Sequence, residues 1–202
     1  MARVCRLIDE RLGEDEPVRL GELGVAAGLS PRHLQRVFQG ALGITPRQYA
    51  DARRVGALKK HLKEGRPVTQ ALYEAGYGSS SRLYEQSDAR LGMTPSTYRR
   101  GGRGMRIGYA VAPCPLGRML VASTDRGVSA VYFGESDETL AEALRLEYPE
   151  AEIHRTEGSR AEWIRDLTKR VKGGDAPDVP IDIRVTAFQW RVFEALREIP
   201  RG

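Results

Sequence analysis

The feature that most constrains this 202-residue chain is an internal repeat in its first half. Leu42-Gly43-Ile44-Thr45-Pro46, followed by Tyr49, returns 49 residues later as Leu91-Gly92-Met93-Thr94-Pro95, followed by Tyr98. Ahead of these segments, Gly28-Leu29-Ser30 and Leu34 have counterparts in Gly76, Ser79 and Leu83. Gly28 and Gly76 stand 48 residues apart, so the second copy carries one extra residue in its turn. Self-similarity at a fixed spacing means one supersecondary unit used twice. Each copy reads as helix, tight turn, helix.

In the first copy, Leu20, Leu23, Ala26 and Ala27 form an apolar stripe ending at Gly28, which tolerates the turn conformation most residues resist. Ser30 is a good N-cap, and Pro31 suits the first helical position. Leu34, Val37 and Phe38 are then expected on one inner face, with Arg32, His33, Gln35 and Arg36 opposite. A short helix with one buried face and one hydrogen-bonding face is what major-groove reading requires. In the second copy Val68, Ala71, Leu72 and Ala75 line the first helix, and Ser79 caps the next. Its candidate outer residues are Ser80, Ser81, Arg82, Tyr84 and Glu85. Between the copies, Pro46 to Leu62 reads as a long helix ending at Gly65. Its Arg53, Arg54, Lys59, Lys60 and Lys63 either touch phosphates or simply solvate the helix.

Charge follows the same division. The net charge is +5, but residues 1–104 hold 18 Lys and Arg against 11 Asp and Glu, while residues 105–202 hold 14 against 16. The basic excess belongs to the first half, as a polyanion-binding module requires. No apolar run approaches the roughly 18 residues of a membrane span, and Met1 to Asp9 lacks the apolar core of a signal peptide. Two cysteines suit a reducing cytosol, so a cytoplasmic protein is expected.

Three glycines in Gly101-Gly102-Arg103-Gly104 suggest a flexible hinge, and a Gly-rich linker is placed at 102–104. Beyond it, Ile107–Ala112, Met119–Ser123 and Val128–Phe133 read as strands, the last two joined by a hairpin turn at Thr124 to Gly127. Ser136 or Asp137 caps a helix through Leu140, Leu144 and Glu147. A helix from about Ser159 to Val171, a strand at Ile181–Val185 and a helix capped by Thr186 complete the expected elements.

The tandem units with matching Leu-Gly-x-Thr-Pro segments resemble the DNA-binding domain of AraC-type regulators. That resemblance implies seven helices over residues 1–101, with two reading helices entering successive major-groove segments about 34 Å apart. It also exposes a departure: Arg36 stands where the family commonly has a basic residue near phosphates, but its counterpart is Glu85. Ser87 likewise replaces Phe38, so the first unit is expected to be the better packed and to dominate affinity.

Leu116-Gly117 with the three strands and helix resembles the ribonuclease-H-like N-terminal subdomain of O6-methylguanine-DNA methyltransferases. The segment Thr186-Ala187-Phe188-Gln189 through Ile199-Pro200-Arg201-Gly202 resembles the opening helix of their catalytic part. An AraC-type module ahead of such a domain is the layout of Ada-type regulators of the response to DNA alkylation. The expected fold is therefore an all-α tandem helix-turn-helix domain (1–101), then an α+β ribonuclease-H-like methyltransferase subdomain (105–185) and the start of a catalytic subdomain (186–202). The expected function is sequence-specific promoter binding, with methylated-DNA-cysteine methyltransferase activity as the alternative.

The repair chemistry that this resemblance implies is a cysteine in a Pro-Cys-His-Arg motif, activated as thiolate by histidine. These 202 residues do not contain that motif, nor the four-cysteine zinc domain of phosphotriester-sensing relatives, so the chain is expected to be inactive as given and truncated at both ends. Cys114 lies in Pro113-Cys114-Pro115 ahead of a strand and is not that nucleophile. Cys5 shares a helix face with Ile8 and Leu12 and reads as a buried small hydrophobe. His33 is on the reading face, whereas His61 and His154 read as surface residues. No metal site, cofactor or catalytic residue is expected. Double-stranded promoter DNA is the expected partner, RNA polymerase a second candidate, and a monomer the expected state.

Overall fold

A computed structural model describes residues 1–14, 17–77, 91–114, 117–156 and 189. Six helices precede the sheet among the described residues: α1 (Ala2–Gly13), α2 (Leu20–Ala27), α3 (Pro31–Leu42), α4 (Pro46–Lys63), α5 (Val68–Glu74) and α6 (Pro95–Arg99). Then come strands β1 (Arg106–Cys114), β2 (Gly117–Thr124) and β3 (Gly127–Gly134), helix α7 (Asp137–Glu147) and strand β4 (Glu152–Arg155). The second reading helix expected from Ser79 onward and the elements expected beyond residue 157 lie outside the described residues.

The repeated Leu-Gly-x-Thr-Pro is a helix stop followed by a helix start. Gly43 at φ +72° ends α3 in the left-handed region, and Gly92 at φ +66° takes the same conformation in the second copy. Two residues on, the Thr45 hydroxyl accepts from the Gln48 amide while the Gln48 side chain accepts from the Thr45 amide, a capping box. Thr94 repeats the cap on the Thr97 amide at 3.1 Å. Pro46 and Pro95 then occupy the first turn, where a missing N–H costs nothing.

The sheet has the order β3-β2-β1-β4. The first three strands are antiparallel, with the expected turn at Asp125 and Arg126 between the Thr124–Gly127 pair. β4 runs parallel to β1, pairing Ile153 with Ile107. It escaped the sequence reading because Glu-Ile-His-Arg offers one apolar side chain and no alternation. α7, capped by Ser136, packs against β2 and β3.

Two cores result. The first is local to unit one: Val4, Cys5 and Ile8 of α1 meet Leu23, Leu34, Phe38 and Leu42, with Tyr49 edge-on to Phe38. Cys5 is fully buried there, as expected. The second core joins unit two to the sheet: Leu58 and Leu62 of α4, Leu72, Met93 and Tyr98 share one cluster with Ile107, Leu120, Leu144 and Tyr148.

The glycine segment differs from expectation. The Gly102 amide donates to the Thr97 carbonyl, the Met105 amide to Gly102, and the Glu150 amide to Gly101. A Cβ on Gly102 would fall 3.1 Å from that of Ala151. Composition suggested a hinge, but Gly101 and Gly102 pack closely against the Tyr148 to Ala151 segment that follows α7, while a Cβ on Gly104 would meet nothing within 4 Å.

Candidate nucleic-acid interface

The candidate reading face lies on α3. Gly28, left-handed at φ +66°, closes the turn after α2. Ser30 accepts from the His33 amide at 3.3 Å, and Pro31 opens the helix. A Cβ on Gly24 would lie 2.7 Å from the Leu29 carbonyl oxygen, so the backbone of the turn rests directly on α2. Leu34, Phe38 and Leu42, four residues apart, are buried and fix the roll of the helix about its axis.

That roll turns Arg32, His33, Gln35 and Arg36 outward, and all four are exposed. Val37 is a correction: expected inside, it is 37% exposed because the buried stripe follows the i+4 row and leaves the i+3 position at its rim. Gln39 is exposed as well. It lies one turn beyond Gln35 and Arg36, so the same periodicity extended by one turn would have found it. The α3 surface therefore offers cations for phosphates, amides for bidentate base contacts and a methyl-bearing side chain for thymine. Of the second set, Ser80, Ser81, Arg82, Tyr84 and Glu85 lie outside the described residues.

The connecting helix is less available to DNA than its composition suggested. Arg53 pairs with Asp9 at 2.7 Å, and Arg54 with Asp51 at 3.0 Å. Lys59 and Lys63 both reach Glu147 of α7. These cations neutralise carboxylates of the protein itself, while Lys60 remains exposed. His61, expected at the surface, is half-buried near Glu64 and Glu74. His154 is exposed, as expected, and Cys114 ends β1 opposite Gly117.

Residues 23–101 match a family described as a helix-turn-helix domain. Over its whole length the chain is 36% identical to the bifunctional transcriptional activator/DNA repair enzyme Ada of Escherichia coli and, equally, to the regulatory protein ada of Salmonella typhimurium. It spans 56% of each of these relatives, just over half their length. An HTH-type transcriptional regulator of Mycobacterium tuberculosis is 32% identical over 41% of this chain and 32% of its own. No solved structure matches.

Proposed function

We propose that this chain is an Ada-type helix-turn-helix regulator over the residues it spans and that it reads promoter DNA in the alkylation-damage response. One observation carries the reading: α3 buries Leu34, Phe38 and Leu42 while holding Arg32, His33, Gln35 and Arg36 in solvent. Arg32 and Arg36 supply phosphate contacts that set register, His33 and Gln35 reach base edges, and Gln39 extends the reading by one turn. Ser80, Ser81, Arg82, Tyr84 and Glu85 supply the second reading helix. Residues 1–101 form the DNA-binding domain, 102–104 the connection, 105–185 the ribonuclease-H-like methyltransferase subdomain and 186–202 the beginning of the catalytic one. The protein works in the cytoplasm as a monomer, with RNA polymerase as its further partner.

The alternative reading, methylated-DNA-cysteine methyltransferase, is favoured by the repair activity in the Escherichia coli relative's description. Selection of duplexes from a random pool separates the two. The proposed function requires enrichment of a site with two segments about one helical turn apart, and enrichment of no sequence at all would refute it. Transfer of a methyl group from an O6-methylguanine oligonucleotide to this chain would instead establish the alternative.

A further inference from the structure

Unit one closes its own core, whereas the described residues of unit two share theirs with the sheet: Leu62 and Tyr98 are buried in a cluster with Leu120 and Tyr148. Around that seam Glu147, only 13% exposed, accepts from Lys59 at 3.2 Å and also from Lys63 and Tyr98. Lys59 Nζ lies 5.4 Å from the centre of the Tyr98 ring, and Tyr98 meets Tyr148 edge-on at 5.7 Å. The Tyr148 hydroxyl then donates to the Ser129 carbonyl on β3 at 2.9 Å. One carboxylate of the sheet domain thus holds three groups of the helical domain.

The position of those groups gives the contact its consequence. α4 carries Tyr49 and Ala50 in the core of unit one and Leu58 and Leu62 in the core of unit two. At 18 residues it is a strut about 27 Å long. Unit one can therefore hold α3 in place whether or not the sheet is docked, whereas the described residues of unit two lose part of their packing once the seam opens. Loss of Glu147 would leave the partly buried Lys59 ammonium with only the Ser129 carbonyl at 3.4 Å, and the Tyr98 phenol and the exposed Lys63 without this acceptor.

Resting on the promoter-reading function above, we propose that the sheet domain clamps the second helix-turn-helix unit through Glu147 and so sets the angle at which it meets DNA relative to the first. The sheet domain is then a device that couples events in its own fold to two-segment DNA reading. A change that frees Glu147 converts a two-segment reader into a one-segment reader without touching the DNA face.

Glu147→Ala in the full chain tests this with two duplexes: the site selected by the wild type, and the same site with the segment read by unit two scrambled. The expected result is an affinity loss of about fivefold or more on the intact site, no change on the scrambled one, and faster amide exchange over residues 91–105 with α2 and α3 as protected as before. Glu147→Gln, which keeps volume and an acceptor for Tyr98, should fall between. Equal losses on both duplexes would mean general destabilisation, and unchanged affinity or unchanged exchange would mean that Glu147 clamps nothing. Each of these overturns the proposal. If the wild type selects no duplex, the promoter-reading function has failed, and the exchange measurement still reports whether Glu147 holds the seam.

Discussion

Gly92 and Ser129 touch backbone to backbone: a Cβ added to Gly92 would lie 2.9 Å from the Ser129 Cα. Gly92 belongs to the repeated turn of the helical half, and Ser129 lies near the start of β3, where its pairing with β2 shifts register. The Thr124 hydroxyl donates to the Gly92 carbonyl and seals the same approach from β2. The contact shows that the sheet packs directly against the turn of the second copy.

This relationship has a built-in control. Gly28 and Gly92 share φ +66°, but a Cβ on Gly28 meets nothing within 4 Å. Gly28→Ala carries only the left-handed strain, about 1 kcal/mol. Gly92→Ala carries that strain and a backbone clash, about 2–3 kcal/mol together. Chemical denaturation of the two variants measures the difference, and equal losses would mean that the seam is not close-packed.

The core of the first unit gives a sharper comparison on neighbouring residues. Phe38 is fully buried against Tyr49, so Phe38→Ala should cost about 3–5 kcal/mol. Val37 lies on the solvent rim, so Val37→Ala should stay within about 0.5 kcal/mol. Denaturant midpoints decide it. A large loss at Val37 would restore it to the inner face that apolar periodicity assigned.

Much of this was legible in sequence because local rules and tertiary structure agree there. Ser30-Pro31 and Thr45-Pro46 state helix starts, Gly28 and Gly43 state helix stops, and the period of Leu34, Phe38 and Leu42 states the buried face. Legibility failed where the deciding partner is distant in sequence. Lys59 and Lys63 look like DNA-facing cations until Glu147, more than 80 residues away, is placed beside them. The glycines at 101–104 have the composition of a linker, and only the neighbouring Tyr148 to Ala151 segment makes Gly101 and Gly102 a packed connection. β4 exists because β1 offers an edge, not because its four residues demand a strand.

The same carboxylate predicts an acid-sensitive seam. Burial alone would raise the Glu147 pKa, but Lys59, followed by the hydrogen bonds of Lys63 and Tyr98, outweighs it and holds the group below the ordinary carboxylate range. A depressed folded-state value adds stability that is fully present above the unfolded value of about 4.3 and is lost as pH falls through the folded one. Melting temperature should therefore drop more steeply for wild type than for Glu147→Gln below about pH 4, and the two curves should run parallel from about pH 6 to 8. Above about pH 10 the Tyr98 phenol acts in the opposite direction. Burial first and Glu147 second raise its pKa, so its contribution is lost as pH rises. A wild-type-minus-variant difference that is flat from acid to neutral pH would show that Glu147 is not stabilised as a carboxylate.

The reading face makes a prediction that separates position from specificity. Arg36 and Gln35 are adjacent, both exposed and both on α3, so any effect on helix stability should be similar and small. Their chemistry differs. A guanidinium on a phosphate releases counterions, so Arg36→Ala should weaken binding to every sequence and reduce the salt slope by about one contact. An amide on adenine reads N6 and N7, so Gln35→Ala should leave the slope unchanged and lose about 1–3 kcal/mol of discrimination at one base pair. Gln39→Ala should behave like Gln35→Ala at a neighbouring position, since it continues the same row. Titrations at several salt concentrations, against the selected duplex and a single-base variant set, measure both quantities. If Arg36→Ala changes preference but not slope, the roles are reversed and α3 enters the groove rolled about its axis. If neither residue matters, α3 is not the reading helix, and the buried stripe of Leu34, Phe38 and Leu42 serves folding alone.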